Sequence, residues 1–177
     1  MRQEESLACS LIEKYGITKP PIPVEEIAKG EGAIIVRQHF EGSESGFTLR
    51  SSDQIIIGVN TRTSRKRQRF TIAHEIGHVK MHEGRLIVDH AVRIDRRDNV
   101  SSIGTDKQEI QANAFGAALL MPHPFVIDHV ERFVSQRASD PASPFPREEL
   151  RAQLARDFDV STEAMGFRLI NLGILAA

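Results

Sequence analysis

The apolar residues near the start of the chain, Leu7, Ala8, Leu11, Ile12 and Tyr15, recur at the spacing of one helical face. This predicts a short amphipathic helix over residues 3–15, ended by Gly16. Pro20, Pro21 and Pro23 then force an extended crossing. Val24 to Lys29 reads as one or two further helical turns, closed by Gly30 and Gly32. Three short runs rich in Ile, Val and Phe follow, at 33–40, 46–50 and 54–59. Gly, Ser and Asp separate them, which predicts a small antiparallel sheet of about three strands. Helical character begins at about Ser64, a residue suited to an N-cap. Residues 84–107 are polar without a clear period and read as a long loop of the kind that often serves function. A helical pattern returns from Glu109 to Leu120 and stops at Met121-Pro122. Another helix is expected over 124–138, a proline-marked linker over 139–146, and two short helices over 147–175. The chain therefore divides into a domain over 1–140 and a C-terminal, helix-turn-helix-like extension over 141–177 packed on it.

The helix after Ser64 carries the chemistry. Residues 70–82 read FTIAHEIGHVKMH and contain His74-Glu75-x-x-His78. Two histidines at i and i+4 lie one turn apart on one face, roughly 6 Å along the axis, so their imidazoles can converge on one ion. Glu75 is rotated by about 100° from His74, where it flanks the ion and can take a proton from water. A solvent-facing helix with two histidines is the plainer reading. Ile72, Ala73, Ile76, Gly77 and Val79 oppose it, because they make the helix apolar around much of its circumference. Buried His and Glu are costly unless paired or bound to metal. Gly77 costs about 1 kcal/mol relative to Ala inside a helix, which makes sense if something packs close.

A catalytic zinc takes three protein ligands and keeps an open position. A third histidine in the pattern HExxHxxGxxH would fall at position 84, which is Gly84, and the glycine of that pattern falls on Met81. The inverted HxxEH pattern is absent. A glutamate from a second helix remains, the gluzincin arrangement. Glu83 is too close along the same helix, and Asp89, Asp95, Asp98 and Asp106 lie in the polar segment, where water accounts for them. Glu109 instead opens EIQANAFGAALLMP, a helix apolar enough to be buried, and a carboxylate there needs a strong partner. Asn113, four residues on, shares its face and can orient a ligand through a hydrogen bond. His82 lies two turns from His74, about 12 Å along the axis, which suits a supporting or helix-end role better than direct ligation.

FTIAHEIGH followed by ExxANxFxxxLLMP resembles the ImmA/IrrE-type zinc metallopeptidases. The N-terminal helix, the PPIPVEEIA turn, the short strands and the closing LARDFDVSTEAMGFRLINLGIL are similar too, so the resemblance covers most of 5–175. It implies an α+β, zincin-like fold with one Zn2+ per chain. His74, His78 and Glu109 would be ligands and Glu75 the base. Members of the family cleave helix-turn-helix repressors in phage, mobile-element or stress-response loci. The chain departs from the family at Phe115-Gly116, where FA is usual.

Composition adds mainly exclusions. With 40% hydrophobic and 27% charged residues the chain is ordinary for a globular protein, and its net charge of -1 gives no support to a dedicated nucleic-acid binder. No run approaches the roughly 20 apolar residues of a membrane span, and the N-terminus lacks a signal-peptide pattern. Cys9 is the single cysteine and reads as a small core residue. A cytoplasmic location fits these features. The basic run Arg62, Arg65, Lys66, Arg67 and Arg69 reads as a solvated helix start. The last helix offers mainly Arg168 and Asn171 to DNA among apolar neighbours, so packing or protein contact is expected there. The competing reading is a non-enzymatic, metal-binding regulator acting through those C-terminal helices. Iron or manganese would also suit two histidines and a carboxylate.

Overall fold

The computed structural model describes residues 2–41, 44–82, 86–89, 103–137 and 145–176. Glu83, Asp95, Asp98 and residues 139–144 of the linker expected over 139–146 lie outside them. Helix α1 (Gln3–Lys14) ends where Gly16 takes φ +60°, and α2 (Val24–Gly30) ends at Gly32 with φ +85°. Strands β1 (Ala33–Gln38), β2 (Gly46–Arg50) and β3 (Ile55–Asn60) precede α3 (Arg65–Met81). Strand β4 (Leu86–Asp89), α4 (Ile103–Leu120), α5 (His123–Arg137), α6 (Arg147–Asp157) and α7 (Thr162–Asn171) complete the order. The class is α+β, as expected.

The sheet differs from the expectation in two ways. Its order is β1-β3-β2-β4, and β1 runs parallel to β3 while β2 is antiparallel to both β3 and β4. Only β2 and β3 form a hairpin, because β1 pairs past its sequence neighbour. The fourth strand lies inside the segment read as loop, and α4 starts six residues before Glu109. The Leu86-Ile87-Val88 run was the strand signal in an otherwise polar stretch.

One face of the sheet covers α3. The β2 alternation turns Gly46 and Thr48 inward, and β3 adds Ile57 and Val59. α3 is sandwiched between the sheet and α4, so Ile72, Ala73, Ile76, Phe115 and Leu119 are all buried. Two close approaches fix the α3–α4 spacing. A Cβ on Gly77 would sit 3.0 Å from the Phe115 ring and 3.2 Å from Ala112 Cα, and one on Gly116 would sit 3.1 Å from the His74 nitrogen. The helices thus touch backbone to backbone through two glycines, which explains the costly glycine in α3.

The basic start of α3 is solvated only in part: Arg62, Arg65 and Arg67 are exposed, while Lys66 and Arg69 are half-buried. Ser64 caps the helix by accepting from Arg67 N–H at 3.3 Å. Lys66 donates to the Val160 carbonyl at 2.8 Å, Arg69 donates to the Asp159 carbonyl and pairs with its carboxylate at 3.2 Å, and Arg67 donates to Ser45 Oγ at 2.8 Å. The α6–α7 turn, where Asp159 takes φ 52°, is thereby strapped to α3. Arg168 is buried, donating to the Met121 carbonyl at 2.9 Å and pairing with Glu5 at 2.6 Å. It faces inward and cannot read a DNA base. Leu150, Leu154, Met165 and Leu169 of the last two helices belong to the same apolar cluster as Ile72 and Leu119.

Candidate metal centre

His74 and His78 are 2% and 0% exposed, with ring centroids 4.6 Å apart. Their Nε2 atoms face each other at 2.9 Å. The Glu109 carboxylate closes the triangle, with Oε2 3.2 Å from His74 Nε2 and Oε1 3.2 Å from His78 Nε2. Among the described residues these three form the one group of His, Cys, Asp or Glu side chains placed to hold a metal, with ligand atoms within 4.8 Å of one another. The spacing suits an ion. Two ligands each about 2 Å from a tetrahedral zinc lie about 3.3 Å apart. The donor set, two imidazoles and a carboxylate, is that of a catalytic site with a position left open.

The surrounding hydrogen bonds agree on tautomers. His74 Nδ1 lies 3.0 Å from Asn113 Oδ1, so it donates and leaves the Nε2 lone pair toward Glu109. His78 Nδ1 lies 2.9 Å from His82 Nδ1, and His82 Nε2 lies 3.4 Å from Gln111 Oε1. One assignment satisfies the whole chain: His82 donates to Gln111, His78 donates to His82, and His78 Nε2 again presents a lone pair. Burial, joined by the neighbouring histidines and opposed by Gln111 and Glu109, holds the His82 imidazole below its ordinary pKa. Without an ion the three groups share protons instead: burial pushes the Glu109 carboxyl up, but hydrogen bonds and charge interactions with His74 and His78 in their protonated form win and hold it down at about 2.

Glu75 is fully buried on the sheet side of α3. Its Oε2 accepts from Thr48 Oγ1 at 2.6 Å. The strand can come this close because residue 46 is glycine: a Cβ there would lie 2.4 Å from Thr71 Cγ2 and 3.3 Å from Glu75 Oε1. Arg50, also on β2, donates to the carbonyls of Val79 at 2.8 Å and His82 at 3.1 Å, closing the C-terminal end of α3.

Of the six residues singled out from the sequence, His74, His78, His82, Glu109 and Asn113 meet around one centre, while the Glu75 carboxylate lies against Thr48 of β2. Thr48, Arg50 and Gln111 were missed. A polar residue at an inward strand position was the available signal for Thr48. Gln111 carried none, since its partner His82 lies on the other helix.

Two helices under a four-stranded sheet bring together side chains that could hold a metal. Residues 33–170 match Peptidase_M78, the IrrE N-terminal-like domain. The chain belongs to this family. The IrrE-like assignment makes a bound metal an expected property of the His74, His78 and Glu109 cluster. The radiation response metalloprotease IrrE of Deinococcus radiodurans is 36% identical over 79 residues, covering 44% of this chain and 23% of that protein. The chain thus matches less than a quarter of the relative's length. Among the described residues of this IrrE-like chain, no single helix is long and apolar enough to cross a membrane.

Proposed function

We propose that this chain is a zinc-dependent endopeptidase of the gluzincin type, binding one Zn2+ through His74, His78 and Glu109 and cutting a specific protein. The carrying observation is the convergence of two imidazole Nε2 atoms and one carboxylate, from α3 and α4, with the buried Glu75 also on α3. Zinc, when bound, lowers the pKa of a water toward about 7 and polarises a carbonyl. Glu75 takes the proton of the attacking water and later delivers it to the leaving amine. Thr48 holds that carboxylate through Oε2. Asn113 and the His82–Gln111 pair hold the two imidazoles. β4 ends the sheet among the described residues, and an extended substrate can add there as a further strand.

The name of the Deinococcus relative supports the peptidase reading and a link to stress. A helix-turn-helix repressor as substrate rests on the family resemblance, as do transcription control and action in the cytoplasm.

The test compares wild type and Glu75→Gln, both zinc-loaded, in a lysate of the native host, by labelling new protein N-termini. A few termini made only by wild type, and lost with chelator, are expected and would name the substrate. Identical termini from both proteins would favour a metal-binding regulator that does not cleave.

A further inference from the structure

A cavity of about 490 Å3 lies between the start of α3, the end of α4 and α7. Its apolar wall is Phe70, Ala117, Met121, Val160, Ala164 and Phe167. The reaction described above does not use it. Its volume falls in the range of ligand pockets, well beyond a packing defect. Its position connects it to the metal centre. Phe70 is one helical turn from His74 on α3, and their rings lie 6.5 Å apart. Ala117 is one turn from Asn113 on α4, next to Gly116, whose backbone presses on that of His74. One turn is about 5.4 Å, and an extended peptide advances about 3.3 Å per residue. A side chain one or two residues from a peptide bond held at the metal is long enough to span that separation.

Phe167 supports the view that the cavity is an entry. It is 62% exposed at the mouth, on a helix where Met165 and Leu169 are buried and Ile170 is exposed beside it. An exposed phenylalanine beside an apolar cavity offers a ready surface for another apolar group.

We infer that this cavity is the specificity subsite of the peptidase, taking a large aliphatic or aromatic side chain next to the scissile bond. The inference rests on the zinc peptidase reading, and its test separates the two. Zinc-loaded protein is titrated with acetohydroxamic acid, which only chelates, and with 3-phenylpropanohydroxamic acid, which adds an apolar arm. The wild type should bind the arylated probe at least tenfold more tightly. Ala164→Trp fills the cavity and should erase that gain while leaving the acetohydroxamate affinity unchanged, which also shows that the variant is folded. Phe167→Ala, at the exposed mouth, should reduce the gain without abolishing it. Equal affinities of the two probes in wild type would overturn the subsite and leave the metal site standing. A gain that survives Ala164→Trp would place the arm elsewhere and overturn it as well. Failure of acetohydroxamate to bind a protein that retains zinc would sink the open coordination position, and the subsite with it.

Discussion

Glu31 and Glu109 are both held at a pKa of about 2, by different partners. In each, burial pushes the carboxyl up and partners overcome it. Glu31 accepts from Lys14 at 2.6 Å, Lys80 at 2.7 Å and the Tyr15 hydroxyl at 2.8 Å. Two of those partners carry permanent positive charge, so the cluster is complete as it stands. It clasps the ends of α1, α2 and α3. Glu109 has two imidazoles instead, and their other nitrogens are committed to Asn113 and His82. Both Nε2 atoms face the carboxylate within 3.2 Å, so the three groups need shared protons or a metal cation between them. An acid held by two ammonium groups is a structural clasp; one held only by imidazole nitrogens can exchange their protons for a metal ion.

The comparison is broken most severely by removing each acid in turn. Glu109→Ala should lower zinc affinity by more than the roughly 100-fold expected for loss of a supporting residue, read by competition with a chromophoric chelator. Glu31→Gln should leave zinc affinity unchanged in the same assay. Equal zinc content in wild type and Glu109→Ala would end the third-ligand assignment. Next in size, Gln111→Leu or His82→Phe should weaken zinc binding by about 10- to 100-fold, because His78 loses the chain that fixes its tautomer.

The smallest effects belong to Glu31. Its replacement by Gln should cost about 1 kcal/mol of stability at neutral pH, after allowing for solvent screening of its lysine partners, measured by urea denaturation. The pH dependence has a definite sign. The folded carboxyl is held at about 2, below its ordinary 4.5, so its stabilisation is present above 4.5 and disappears as pH falls toward 2. The stability gap between wild type and Glu31→Gln should therefore be constant above about pH 5 and close toward pH 2. A gap that widens on acidification would contradict the clasp.

Much of the centre was legible in the sequence because it is local. His74, Glu75 and His78 are fixed by helix geometry alone, and Glu109 stood out as a charge on an apolar helix. The three early strands and the helix ends marked by Gly16, Gly32 and Ser64 follow from turn and capping chemistry of single residues. What stayed hidden depends on docking. Lys66 and Arg69 read as solvated until Asp159 and Val160, some 90 residues later, are folded against them. The parallel β1–β3 pair is decided by which strand fits between them and β4, and side-chain alternation cannot express that. Thr48 became part of the centre only once Gly46 let β2 settle onto α3.

The glycine seam between α3 and α4 has a thermodynamic side. On the proposed ligand set, two on α3 and one on α4, a bound ion would be a cross-link between elements that are distant in an unfolded chain. Gly77 and Gly116 set the gap it would bridge with little slack, so parting the helices and releasing the ion would become one event. Free metal at about 1,000 times its dissociation constant adds about 4.1 kcal/mol to such a fold. Scarcity of the ion would then lower the amount of folded protein as well as its activity, and proteolytic turnover of the empty chain would carry that shortage into its abundance.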